Sequence, residues 1–155
     1  MAKAIRGQIY FHYLVDPFHF EQRTSLKTFI RKLLEREGRR LDTINYIFCS
    51  DEYLLTLNKT HLKHNTLTDI ITFEFSQANE PLLSDIYISI ERVRENATLF
   101  NSSFKTELCR VIFHGALHLC GYKDKTPEQS QLMRKKEEEY LRKWHVSRET
   151  TIQRD

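Results

Sequence analysis

The chain predicts an α/β (α+β) fold: a small mixed sheet of about four strands packed against several helices, with a metal site at the end of a central helix. Three observations carry this. Short alternating stretches rich in β-branched and aromatic residues interleave with segments of helical periodicity. The 155 residues include 40% hydrophobic side chains, ten Phe, seven Tyr and one Trp, which is enough for a core. No linker, repeat or low-complexity tract divides them. Residues 1–144 are therefore read as a single domain and 145–155 as a polar, frayed C-terminal tail.

Residues 5–15 alternate at Ile9, Phe11 and Tyr13, the mark of a strand. Residues 25–37 follow with Leu26, Phe29, Ile30, Leu33 and Leu34 on one helical face, and Gly38 stands where a helix ends in the left-handed conformation. Ile44, Tyr46 and Phe48 alternate in a second strand. A short helix runs from about Asp51 to Thr60, with Ser50 as its cap. Residues 61–68 are polar and read as a loop. Residues 69–76 and 85–90 read as strands and 91–100 as a helix. An apolar helix spans about Thr106 to Cys120 and stops at Gly121. The last helix has the clearest start in the chain: Thr126 as N-cap, Pro127 at the first position and Gln129 at the third. It is expected to reach about Lys143.

Composition excludes several functions. The four glycines, Gly7, Gly38, Gly115 and Gly121, cannot assemble a dinucleotide fingerprint, a P-loop or a nucleophile elbow, so no nucleotide cofactor is expected. No stretch is apolar enough to span a membrane, and Gln8 and His12 interrupt the N-terminal apolar run, so a cytoplasmic protein is expected. Cys49, Cys109 and Cys120 are odd in number, form no C-x-x-C pair and lie among hydrophobic residues. They read as buried thiols in a reducing compartment.

His114 and His118 are four apart on a helix and share a face, which lets both imidazoles reach one divalent ion; the plainer alternative is two histidines on a half-buried helix face with Asp124 as a turn residue. Gly121 ends that helix, and the returning chain brings Asp124, giving H-x3-H-x2-G-x2-D. Two ligands on a helix and one from the turn leave a coordination position open for water, as in a catalytic zinc site. Zinc is favoured, although Asp124 admits other ions. The spacing matches the metzincin signature with Asp in place of the last His. A metzincin-like zinc metalloprotease needs a glutamate directly after the first histidine, however. That position is Gly115, which disfavours the reading.

The segment HGALHLCGYKD resembles the HGxLHLxGYDH signature of the YbeY-type endoribonucleases. LNKTHLKHNTLTDIITFEF resembles the family's LN-x-x-x-R…TDVLSF stretch, and SDIYISIERVRENA its GDI-x-I-S strand and following helix. The resemblance covers most of residues 50–126 in the family's order. It implies a metal-dependent, single-strand-specific endoribonuclease that acts in 3′-end maturation of small-subunit rRNA and in ribosome quality control. The implied partners are an rRNA precursor and the small ribosomal subunit. The family's metal histidines map to His114, His118 and Asp124, the last being a departure from the pattern. The family's arginine falls at Leu62, with Lys63 as the nearest cation. Lys63, Asp69 and Asp85 are the candidate catalytic residues. Asp69 and the Ser84–Asp85 pair can equally be strand-entry residues, and Lys63, His61 and His64 solvated loop side chains.

The net charge is only +3, but it is uneven. Between Arg23 and Arg40 seven cations face Glu35 and Glu37, a local excess of five. Arg31, Arg36, Arg39 and Arg40 are the candidate RNA-binding residues, or an ordinary solvated helix face. The charges at 134–139 read as balanced surface. A third function, a non-catalytic ribosome-associated factor with a structural metal, requires a closed four-ligand site.

Overall fold

The computed structural model describes residues 7–18, 20–61 and 68–154. Strand β1 (Gln8–Tyr13) is followed by α1 (Arg23–Arg36), β2 (Leu41–Cys49), α2 (Asp51–His61), β3 (Ile70–Glu74), β4 (Leu82–Ser89), α3 (Ile90–Leu99), α4 (Phe104–Leu119) and α5 (Pro127–Arg154). The sheet order is β1-β2-β4-β3. β1, β2 and β4 run parallel, and β3 pairs antiparallel to β4 at the edge.

Strand parity assigns the faces. Ile9, Ile44, Tyr46, Phe48, Ile86 and Ile88 point to one side and are buried under α1 and α4. Cys49 and Ile71 point to the other, where Leu54 of α2 covers them. α5 packs over α4, and its Trp144 meets the ring of Phe29 from α1 at 5.4 Å. The buried Tyr46 hydroxyl donates to the Ile112 carbonyl at 3.0 Å and ties the sheet to α4. Gly115 sits where α4 crosses the sheet. A Cβ there would stand 2.9 Å from Ile70 Cδ1 and 3.2 Å from Ile86.

Most end signals act as the sequence implies. The Ser50 hydroxyl accepts from the Tyr53 amide at 3.1 Å. Thr126 and Gln129 cap each other reciprocally, both at 3.2 Å. Gly38 and Gly121 have φ of 81° and 102°. Each closes a Schellman motif, in which Arg39 donates to Leu34 and Tyr122 to Leu117.

Several boundaries differ, three of them instructively. β4 begins at Leu82 rather than 85, because its pairing with β2 extends to Leu41. α4 begins two residues earlier, at Phe104, with Ser103 rather than Thr106 at its start: the Ser103 hydroxyl accepts from the Thr106 amide. α5 does not stop near Lys143 but continues to Arg154. No Pro or Gly interrupts residues 144–154, and buried Trp144 anchors the helix at the point where fraying was expected.

Candidate metal centre and cleft

The site is built on the C-terminal half of α4. His114 and His118 sit one turn apart with rings 5.2 Å between centroids. The Schellman turn at Gly121 reverses the chain and places Asp124 against both. Its two carboxylate oxygens lie 3.3 Å from His114 Nε2 and 3.6 Å from His118 Nε2. One ligand atom from each residue falls within 4.8 Å of the others. The three residues named from the sequence are thus brought together.

The far side of each ring is also held. His118 Nδ1–H donates to the Tyr122 carbonyl at 2.7 Å. A carbonyl can only accept, so Nδ1 carries a proton and Nε2 is the atom turned toward Asp124. His114 Nδ1–H donates to the Glu137 carboxylate, also at 2.7 Å. Metal-binding histidines are oriented in this way by carboxylates and carbonyls. The donor set therefore fits a divalent cation: two imidazole Nε2 atoms and one carboxylate converge, with each ring held at Nδ1. Burial works against a charge on His114. The Glu137 hydrogen bond and the charges of Glu137, Asp124 and Asp69 outweigh it, and the His114 pKa lies above its ordinary value.

The centre lies in an open cleft of about 1160 Å³ between β3, α3, α4 and α5. Asp69 is half-buried in its wall, and burial raises its pKa, with Glu137 and Asp124 pushing the same way against His114. Glu107, 3% exposed, and Arg110 line the floor, with Arg110 Nε 3.3 Å from Glu107 and a terminal nitrogen 2.7 Å from Glu138.

A match across most of the chain settles the family. Residues 16–145 match the family described as Endoribonuclease YbeY. The chain belongs to the YbeY family. It is 49% identical over 138 residues to the endoribonuclease YbeY of Flavobacterium psychrophilum, covering 89% of this chain and 97% of the relative. It is 45% identical over 141 residues to that of Christiangramia forsetii, covering 91% and 97%. The solution structure of TM1509 from Thermotoga maritima resembles it with a TM-score of 0.59 at 27% identity, covering 90% of this chain and 93% of that one. YbeY membership makes the chain an endoribonuclease, and the His/His/Asp group is its candidate metal site. No helix among the described residues is long and apolar enough to cross a membrane.

Several residues fall elsewhere than the sequence suggested. Asp85 is not in the cleft. It points to the opposite face of β4 from Ser84 and Ile86 and accepts from Asn45 Nδ2 at 3.1 Å. Arg39 is not free for RNA: it donates to the Leu119 carbonyl and, at 2.7 Å, to Glu74, bracing the end of α4 against β3. Arg40 donates to the Asn79 carbonyl at 2.6 Å and Arg31 to Thr28 at 3.1 Å, while Arg36 is exposed. None of these four lines the cleft. Lys63 and His64 lie outside the described residues, as does the His61 side chain. Glu137, read as surface charge, is 6% exposed. Its spacing from Met133, Tyr140, Leu141 and Trp144, all buried, was the signal that could have found it. Cys49 and Cys109 are buried as expected. Cys120 is half-buried, and burial pushes its thiol up to about 12, as it does that of Cys49.

Proposed function

We propose that this chain cuts single-stranded RNA in 3′-end maturation of small-subunit rRNA and in ribosome quality control, in the cytoplasm, with one zinc ion held by His114, His118 and Asp124. The observation that carries the proposal is the convergence of both Nε2 atoms on Asp124 in an open cleft of a YbeY-family chain. Three converging ligand groups among the described residues, rather than four, favour a reactive site over a structural one. The likeness of residues 50–126 to the family's segments supports the rRNA precursor and the small subunit as partners.

A bound divalent ion supplies Lewis acidity toward a phosphodiester and toward water. The protein's own residues do the rest. Glu137 and the Tyr122 carbonyl fix the two imidazoles. Asp69, in the same wall, is the carboxylate proposed for proton transfer, and Lys63 the cation proposed for the loop that precedes it. Arg36 and the neighbouring basic surface of α1 would hold RNA beyond the cleft.

A protease reading finds no support. Gly115 faces the sheet at packing distance from Ile70 and Ile86, so a glutamate there could not be housed.

The test is cleavage of end-labelled single-stranded RNA and of the same sequence as a duplex, with metal content measured beside it. The single strand should be cut and the duplex spared, and His118→Ala should lose both metal and cleavage. Ends bearing 5′-phosphate identify water as the attacking group; 2′,3′-cyclic ends identify the ribose hydroxyl. Cleavage that survives metal removal would sink the mechanism.

A further inference from the structure

The cleft is acidic for a surface that must receive RNA. Asp69, Glu74, Glu107, Asp124 and Glu137 line it, against the arginines Arg110 and Arg134. Arg110 is consumed by Glu107, Glu138 and, at 3.6 Å, Glu137. Arg134 differs. It is exposed, lines the cleft and makes no hydrogen bond or ion pair with a described residue. It stands one turn before Glu137 on α5, on the face that carries Glu137 to His114. Its natural ion-pair neighbours at three and four residues, Glu137 and Glu138, are taken by His114 and Arg110. The guanidinium is left without a partner among the described residues.

A second unpartnered group lines the same cleft. Phe100 caps α3, where Asn101 with φ of 54° stops the helix, and it is 61% exposed. Its ring contacts no other aromatic among the described residues. Phe75 is similarly exposed but lies outside the cleft. A free aromatic ring and a free guanidinium in one groove are the two elements by which proteins hold single strands: a face for a base and a cation for a phosphate.

We infer that Phe100 stacks one RNA base and Arg134 binds one backbone phosphate, holding a single strand across the cleft that contains His114, His118 and Asp124. The inference rests on the endoribonuclease reading and deepens it. The two groups come from α3 and α5, which both pack against α4, so each has a fixed position relative to the histidines. A base in a duplex is already paired and stacked, so Phe100 selects for unpaired RNA. In an otherwise acidic cleft, one exposed guanidinium counts for more than it would on the basic face of α1.

The experiment uses the full chain and a short fluorescein-labelled single-stranded RNA. Binding is followed by anisotropy in chelator over a salt series, and cleavage is followed separately with metal. Phe100→Leu should weaken binding about tenfold and raise KM with little change in kcat, and Phe100→Trp should restore both. Arg134→Gln should weaken binding and lower the slope of log affinity against log salt by about 0.7, while Arg134→Lys keeps the slope. Both sites are exposed, so the variants should fold, and circular dichroism checks this. If wild type cleaves but Phe100→Leu and Arg134→Gln bind with unchanged affinity and salt slope, the subsites are wrong. If wild type cuts no RNA, the endoribonuclease reading itself fails, and the inference with it.

Discussion

His114 and Glu137 meet at 2.7 Å although 23 residues separate them, and this contact joins the metal helix to α5. Glu137 also lies 3.6 Å from Arg110, so one buried carboxylate orients a candidate metal ligand and balances a half-buried cation. Replacing Glu137 by alanine should lower metal affinity about 10–100-fold. It should also cost about 1–3 kcal/mol of stability, because His114 Nδ1–H loses its acceptor. Glu137→Gln keeps an acceptor and should lose less of each. Competition with a chelator gives the first quantity and chemical denaturation the second. Equal metal affinity in wild type and Glu137→Ala would remove Glu137 from the site.

The three ligand residues should act as a unit. Elemental analysis of the purified protein should find about one metal per chain, lost or much weakened in His118→Ala and in Asp124→Ala. Asp124→His, which offers a nitrogen in place of the carboxylate, should retain the metal. Unchanged stoichiometry in the alanine variants would mean that the ion sits elsewhere.

What the sequence made legible was local. Two histidines a turn apart, a glycine to reverse the chain and an aspartate three residues on are all contained within 114–124, so spacing alone assembled them. The reciprocal cap at Thr126 and Gln129 is equally local. The missing pieces come from distant segments. Glu137 was hidden in a run of charges, although it keeps the four-residue step from Met133 and the seven-residue step to Trp144. Asp85 was placed by its neighbours in sequence, yet strand parity sends it to the face opposite Ile86. Arg39 was counted with a basic helix, but the Gly38 turn swings it out of that helix towards Leu119.

The two glycines of the site segment should fail in different ways. Gly121 has φ of 102° with nothing within 4 Å of a Cβ, so Gly121→Ala is strained by backbone conformation alone. The cost should be about 1–2 kcal/mol. Gly115 has no such conformation but stands 2.9 Å from Ile70 Cδ1 once a Cβ is added. Overpacking there should cost about 1–3 kcal/mol. Removing that methyl with Ile70→Val should recover part of the loss in Gly115→Ala and none in Gly121→Ala. Thermal melts of wild type, Ile70→Val, the two glycine variants and the two double variants check this, and equal rescue of both would contradict the assignment.

Glu37 carries the pH dependence that can be read most directly. It ends α1 and accepts hydrogen bonds from the hydroxyls of Tyr122 (2.8 Å) and Tyr140, with Lys136 Nζ at 3.5 Å. Burial pushes its pKa up, but the two tyrosines and Lys136 outweigh burial and hold it below the ordinary 4.5. Below 4.5 the unfolded chain therefore takes up a proton that the folded chain resists. Stability from this group is complete above 4.5 and is lost as pH falls through the lowered folded value. In Glu37→Gln the group no longer titrates, so the variant should be less stable than wild type near neutrality. The gap in melting temperature should close as pH drops below 4.5. Because Tyr122 also presents its carbonyl to His118, the variant should bind metal more weakly at neutral pH. A gap that stays constant across the acid range would show that the lowered carboxyl contributes nothing to folding.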